Sequence, residues 1–142
     1  IVMTGEQNPF NTRQVHAAEI PGAAGISEAR ALARMYGACV SEVDGLRLIG
    51  DGTVRTVRAE RSHGPDKTLV VECAWGSGFM RTGEMNPMLT TESFGHPGAG
   101  GSQAYGDLEH RVGFGYVMNQ MGGNITGDPR AASLTDAIRS CL

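Results

Sequence analysis

Apolar residues change their spacing along this chain, and the changes mark out its elements. Ala29, Leu32, Ala33, Tyr36 and Val40 recur at helical intervals and form one face of an amphipathic helix. Ser27 is placed to cap it through its hydroxyl, with Glu28 suited to the positive helix end. Val54, Val57 and Arg58 repeat the spacing after Asp51 or Thr53 as cap and suggest a second helix, although Val and Thr suit a strand equally. Leu69 to Met80, LVVECAWGSGFM, is β-branched and aromatic, and its Gly76 and Gly78 mark a strand that bends or meets another backbone closely; a sheet is expected to begin there. Phe94 to Tyr105 and Val112 to Met118 are two further strands, joined as an antiparallel hairpin by GDLEHR, in which Gly106 and Asp107 are turn formers. A closing helix is predicted from Asp128 as cap, Pro129 in the first turn, and Leu134, Ala137, Ile138 and Cys141 on one face.

Helices, then a strand meander, then a helix predict an α+β arrangement of antiparallel strands with flanking helices. The first 26 residues carry Gly5, Pro9, Pro21, Gly22 and Gly25 with little periodicity and read as an extended loop. Residues 1–50 are expected to be the end of a helical region with one amphipathic helix. Residues 51–142 are expected to hold the closing strands and C-terminal helix, with no independent domain boundary between the two parts. Ile1 is neither a start codon nor the head of a signal peptide, so the expectation is that something precedes it.

Composition narrows the function classes. The net charge of −3, with scattered arginines and Lys67 as the only lysine, lacks the clustered basic patch a nucleic-acid binder uses to displace counterions. No apolar run approaches the ~18 residues of a membrane span. Cys39, Cys73 and Cys141 are odd in number and lack CxxC spacing, which fits neither a disulfide framework nor a zinc site and favours reduced thiols in a cytoplasm-like compartment. His16, His63 and His110 share no metal-ligand spacing, so neither metal nor cofactor is expected.

The densest chemical signal is FGHPGAGGSQAYGD, Phe94 to Asp107, with four glycines within seven residues and His96 leading the cluster. Glycine inside β-structure costs about 0.5–1 kcal/mol per residue and therefore needs a reason. A phosphate-cradling loop would require a helix N-terminus after the glycines, and a strand pattern follows instead. A hairpin bulge with His96 as an ordinary hydrogen-bonded strand residue is a second reading.

A third comes from resemblance. GHPGAGGSQAYGDLEHRVGFGYVMNQM resembles the active-site strand and following hairpin of the β-lactamase-like serine esterases, in which an H[TP]GxGG segment stands where penicillin-binding proteins have a Lys-Thr-Gly triad. EIPGAAGISEARALARMYGA, Glu19 to Ala38, is similar to the stretch closing the helical domain of that family, and WGSGFM, Trp75 to Met80, to its preceding strand. The blocks stand in the family's order. The resemblance implies the C-terminal part of the β-lactamase/transpeptidase-like fold.

The same resemblance implies acyl transfer. In the family a serine in an S-x-x-K motif attacks the acyl carbonyl, and a hydroxyl so weakly acidic needs a neighbouring base. No serine of this chain is followed by Lys at the third position, so the nucleophile is expected upstream, on the N-terminal part of the same protein. By the family pattern His96, Pro97 and Gly98 take the places of the triad's Lys, Thr and Gly. Ala99 is the next residue, whose backbone N–H is one of the oxyanion donors, and Gly100 and the neighbouring Pro97 and Gly98 border the substrate. Histidine is only partly charged near neutral pH and proline offers no hydroxyl, so carboxylate recognition should be weak. The resemblance thus implies hydrolysis of small acyl esters, with β-lactam or amide cleavage secondary, or else a non-catalytic binding protein of the same fold. His96 either takes part in the chemistry or only holds a loop. Trp75, Met80, Met85, Met88, Met118 and Met121 are expected in the core or lining the pocket, and Cys39 and Cys141 buried on helical faces.

Strands from this segment alone would leave a sheet edge unpaired. The 142 residues expressed by themselves are therefore expected not to unfold in a single cooperative transition as a monomer. Denaturation monitored by circular dichroism together with sedimentation checks this, and one monomeric two-state transition would refute it.

Overall fold

The helical spacing over residues 29–40 is realised as helix α2, Ala29–Val40, whose Tyr36, Ala38, Cys39 and Val40 are buried. This computed structural model describes residues 9–23 and 25–142, so the expectations attached to Ile1 and Gly5 fall outside the described residues. Ahead of α2 the loop reading is modified by a 3-10 turn at Pro9–Asn11 and the single-turn helix α1, Arg13–His16, capped by the Thr12 side chain. Ser27 does not cap α2. The N-cap is Glu28, held extended, and the Ser27 hydroxyl donates to the Glu28 carbonyl instead.

The second periodic stretch is a helix, α3, Asp51–Arg58, with Val54 fully buried. Its N-cap is Gly50, neither Asp51 nor Thr53. Asp51 sits in the first turn, where its carboxylate receives Nη1 and Nη2 of Arg111 at 2.7 and 2.8 Å and pairs with Arg47. These bonds, Arg111 first, hold Asp51 well below the usual carboxylate range. Arg111 also donates to the Val40 carbonyl at 2.5 Å, so one guanidinium ties the end of α2 to the start of α3.

Six strands follow: β1 Ser62–Pro65, β2 Glu72–Trp75, β3 Met80–Arg81, β4 Ser93–Pro97, β5 Gln103–Asp107 and β6 Val112–Tyr116. They form one sheet in sequence order, each pair antiparallel. The sheet begins earlier than the apolar pattern implied, because SHGP of β1 is an edge strand with no buried residue, and an edge tolerates proline and polar side chains. Leu69 to Met80 is not one strand. Gly78, at φ +84°, turns the chain between β2 and β3, while Gly76 lets the end of α3 close in: a Cβ there would lie 2.2 Å from the Val57 carbonyl oxygen. Phe94 to Tyr105 likewise divides into β4 and β5, with the glycine cluster as the loop between them. The predicted hairpin around GDLEHR is β5 and β6, paired from Gln103↔Tyr116 to Asp107↔Val112.

Alternation along the strands gives the sheet two apolar faces. On one, Phe94, Ala104 and Leu108 pack with Tyr36, Cys39 and Val40 of α2 and Val54 of α3. On the other, Cys73, Met80, Met88, Leu89, Tyr105 and Phe114 form a second cluster against which Ile138 packs. Ile138 belongs to α4, Pro129–Arg139, which starts as expected with the Asp128 side chain accepting from Arg130 N. Its inward face differs from the predicted one. Ala131 and Thr135 are buried, whereas Leu134, Ala137 and Cys141 are exposed. The buried Tyr105 hydroxyl explains the rotation, since it finds its partner in Thr135 Oγ1 at 3.1 Å, which a leucine could not supply. Cys141 is therefore not a core residue, while Cys39 and Cys73 are buried; all are free thiols. Met80 and Met88 are core as expected, and Met121 is partly exposed.

Helix α2 lies directly on β6. Built on Gly113, a Cβ would stand 2.2 Å from Ala33 O and 2.2 Å from Gly37 N; on Gly115, 2.3 Å from Ala29 O. Both contacts are with backbone, which cannot swing aside. G113A in the full-length protein should lose about 1–3 kcal/mol, as for an overpacked core, in chemical denaturation. The control is G52A on α3, where no atom lies within 4 Å; it should gain roughly 0.5–1 kcal/mol from helix propensity.

Candidate active site

The glycine cluster folds as a five-residue loop across the ends of β4 and β5. Pro97 pairs with Gln103, then Gly98 N donates to Ser102 O at 2.6 Å and Gly101 N to Gly98 O at 3.1 Å. The second bond closes a β-turn over residues 98–101 in which Gly100, at φ +87°, occupies the third position, as a type II turn requires. Ala99 takes the second position, at the exposed tip. Pro97 can stand in an inner strand because β3 has already ended: its last partner on β4 is Gly95. A strand follows the glycines, so the phosphate-loop arrangement is absent, and the hairpin reading of the cluster holds as a loop rather than a bulge.

Three of the loop's five N–H groups are spoken for, and those of Ala99 and Ser102 have no protein acceptor among the described residues. Gly98, Gly100 and Gly101 all donate to backbone carbonyls, Gly100 to Asn124 O at 2.9 Å. Of the two unengaged residues, Ala99 stands at the exposed tip of the turn.

Beside it stands His96, exposed and on the register position opposite Ala104. Its ring lies 5.5 Å from that of Trp75, tilted by 43°. His96 Nδ1 is 2.5 Å from the Pro97 carbonyl oxygen, which can only accept, so Nδ1 is the donor in this contact. Behind β4, Phe94 packs edge-on against Phe79 and Tyr36, with centroids 5.1 and 6.2 Å away. Burial pushes Tyr36 up to about 12, and it raises Tyr105 as well; both remain phenols at neutral pH and serve the core. His16, His63 and His110 lie on the surface, and among the described residues no cluster of His, Cys, Asp or Glu could hold a metal ion. No helix among them is long and apolar enough to cross a membrane.

The sequence reading thus brings together His96, Pro97, Gly98, Ala99 and Gly100 on one strand end and its turn. It missed what lies beneath. A Cβ on Gly100 would strike the Met121 side chain, and one on Gly101 would lie 2.2 Å from Asp128 Oδ2. Asp128, its side chain only 5% exposed, receives Arg130 Nε at 2.9 Å and Arg130 Nη2 at 2.7 Å. The Arg130 hydrogen bond holds the Asp128 carboxyl below its ordinary range. Asp128 reads in the sequence as a helix cap and nothing more; the only further signal was the arginine two residues on.

Comparison with known proteins bears on the family and the fold. The family model described as Beta-lactamase matches residues 2–137. Esterase/beta-lactamase LipL of Mycobacterium tuberculosis (strain ATCC 25618 / H37Rv) is 40% identical over 109 residues, which cover 73% of this chain and 24% of that protein. A family VIII carboxylesterase of known structure superposes with a TM-score of 0.85 at 36% identity, over 93% of this chain and 36% of its own. EstA from Arthrobacter nitroguajacolicus Rue61a gives 0.83 at 32% identity, over 92% and 36%. A penicillin-binding protein homolog from Caulobacter crescentus gives 0.73 at 40% identity, over 82% and 32%. The chain therefore spans about a quarter to a third of the length of these relatives.

The lowered Asp128 carboxyl fixes the sign of a pH effect. Its stabilising contribution is complete above the unfolded value of about 3.9 and disappears as pH falls through the lower folded value. D128N keeps a capping oxygen but loses the charge pair. The melting-temperature gap between wild type and D128N should be constant above about pH 5 and close progressively below about pH 4 in a pH series of thermal melts.

Proposed function

The chain belongs to the beta-lactamase family, and on that premise we propose that it forms the oxyanion-side wall of a serine hydrolase that cleaves small acyl esters through an acyl-enzyme. The observation that carries this reading is the unengaged Ala99 N–H at the rigid tip between β4 and β5. The nucleophilic serine and its base belong to the N-terminal part of the same protein, since no serine here has Lys at the third following position. Serine Oγ adds to the ester carbonyl while its proton passes to the base. The carbonyl oxygen, now negative, receives the Ala99 N–H. Collapse expels the alcohol, which takes up the proton, and water then releases the acid by the same path in reverse. A preorganised donor acts only as charge develops and so lowers the barrier without tightening substrate binding.

The neighbours of Ala99 favour esters over penicillins. His96 commits its Nδ1–H to the Pro97 carbonyl, and Pro97 has neither N–H nor hydroxyl, so the pair offers less to a substrate carboxylate than a lysine and a threonine would. Gly98 and Gly100 let the protein's own Ser102 and Met121 side chains close against the turn that carries Ala99. The names of the esterases with which the chain is similar point the same way.

Intact-mass spectrometry of the full-length protein with a serine-reactive fluorophosphonate should show one adduct, and no adduct would favour a non-catalytic binding protein. Position two of a type II turn accepts proline, so A99P removes the N–H while preserving the turn. Its kcat on a short-chain aryl ester should fall about 10²–10³-fold with KM little changed. A silent A99P in a protein that still labels would exclude Ala99 as a donor.

A further inference from the structure

The rigidity of the 98–101 turn does not come from the hairpin alone. The Gly100 carbonyl receives two hydrogen bonds, from Gly122 N at 2.7 Å and from Arg130 Nη2 at 3.0 Å. Arg130 Nη1 donates to the Gln120 carbonyl at 2.9 Å. One planar guanidinium thus holds the glycine turn and the 120–124 segment in fixed relation, while Asp128 grips its other edge through Nε and Nη2. Asp128 is in turn set by its place at the head of α4, where Oδ1 also accepts Arg130 N at 2.9 Å. The Gly101 backbone lies flush against the pair, with φ +119° and no room for a Cβ.

The Ala99 N–H and the Gly100 carbonyl stand on the first and third peptide planes of one turn, and the plane between them is held by the Gly100 N–H donating to Asn124 O at 2.9 Å, so an anchor on the Gly100 carbonyl restricts the direction of the Ala99 N–H. We propose that Arg130, oriented by Asp128, is a positioning residue for the Ala99 donor: it acts on the reaction through the turn and touches no reacting atom. The inference rests on the reading of Ala99 as an oxyanion donor. A positioning role has a kinetic signature that a merely stabilising one lacks. Loosening the turn weakens an interaction made only in the transition state, so kcat falls and KM does not follow. Lysine could reach one carbonyl as a point charge but cannot span Gly100, Gln120 and Asp128 together.

The experiment is a double-mutant cycle in the full-length protein, with steady-state kinetics on a short-chain aryl ester, thermal melts, and fluorophosphonate labelling carried to its endpoint. R130Q should lower kcat about tenfold or more at nearly constant KM, with labelling still one adduct per chain. R130K should fall between R130Q and wild type. In the A99P background R130Q should change kcat hardly at all, because the donor it orients is gone. The inference is overturned if R130Q lowers kcat by the same factor with and without A99P, or if it only reduces the fraction of protein that labels. Should R130Q fail to fold, R130K and D128N carry the same cycle. If A99P is costly and the Arg130 variants are not, only this inference falls; if A99P is itself silent, the donor reading falls and takes this one with it.

Discussion

Helix α2 can rest on this sheet only because no side chain stands between its backbone and that of β6. Gly113 and Gly115 face the helix from the strand, and Gly37 faces the strand from the helix. The contact brings peptide groups to van der Waals distance and sets the height of α2 above the sheet. That height decides whether Tyr36, Cys39 and Val40 reach Phe94 and Ala104. Phe94 in turn carries β4, and β4 carries the loop. A change of one ångström at the glycine seam would therefore move the backing of the candidate site, although seam and site share no residue.

The opposite face answers to a polar constraint. Tyr105 buries a hydroxyl midway along β5, and Thr135 meets it from α4. This bond fixes the rotation of α4 and so delivers Asp128 and Arg130 to the underside of the glycine turn. The turn is held from below by a helix start and from the side by the 120–124 segment.

Much of this was legible in the sequence. The amphipathic spacing of α2, the Asp-Pro start of α4 and the β5–β6 hairpin all follow from local pattern, and the order of family-like blocks pointed to the family. What was not legible depended on partners distant in sequence. Asp51 looked like a cap, yet Arg111, sixty residues away, draws its carboxylate sideways. Leu134 looked like core, yet the Tyr105 hydroxyl chose Thr135. Strands β3 and β4 were obscured because glycines that read as bends inside one long strand are loops between two short ones. The Asp128–Arg130 pair was hidden for a related reason: its purpose lies in a carbonyl of residue 100, which no spacing rule connects to residue 130.

The guanidinium of Arg111 has a counterpart in that of Arg130, and the two differ in their surroundings. Arg111 and Asp51 are both substantially open to water, with 43% and 32% of their side chains exposed. Asp128 is enclosed. Dissolved ions shield the first pair more than the second, in which Arg130 is 41% exposed but its carboxylate partner is enclosed. The molecule accordingly has a salt-soft pole, where α2 and α3 meet, and a salt-hard pole at the glycine turn. A change in ionic strength alters how firmly the helices are tethered while leaving the loop's geometry as it was.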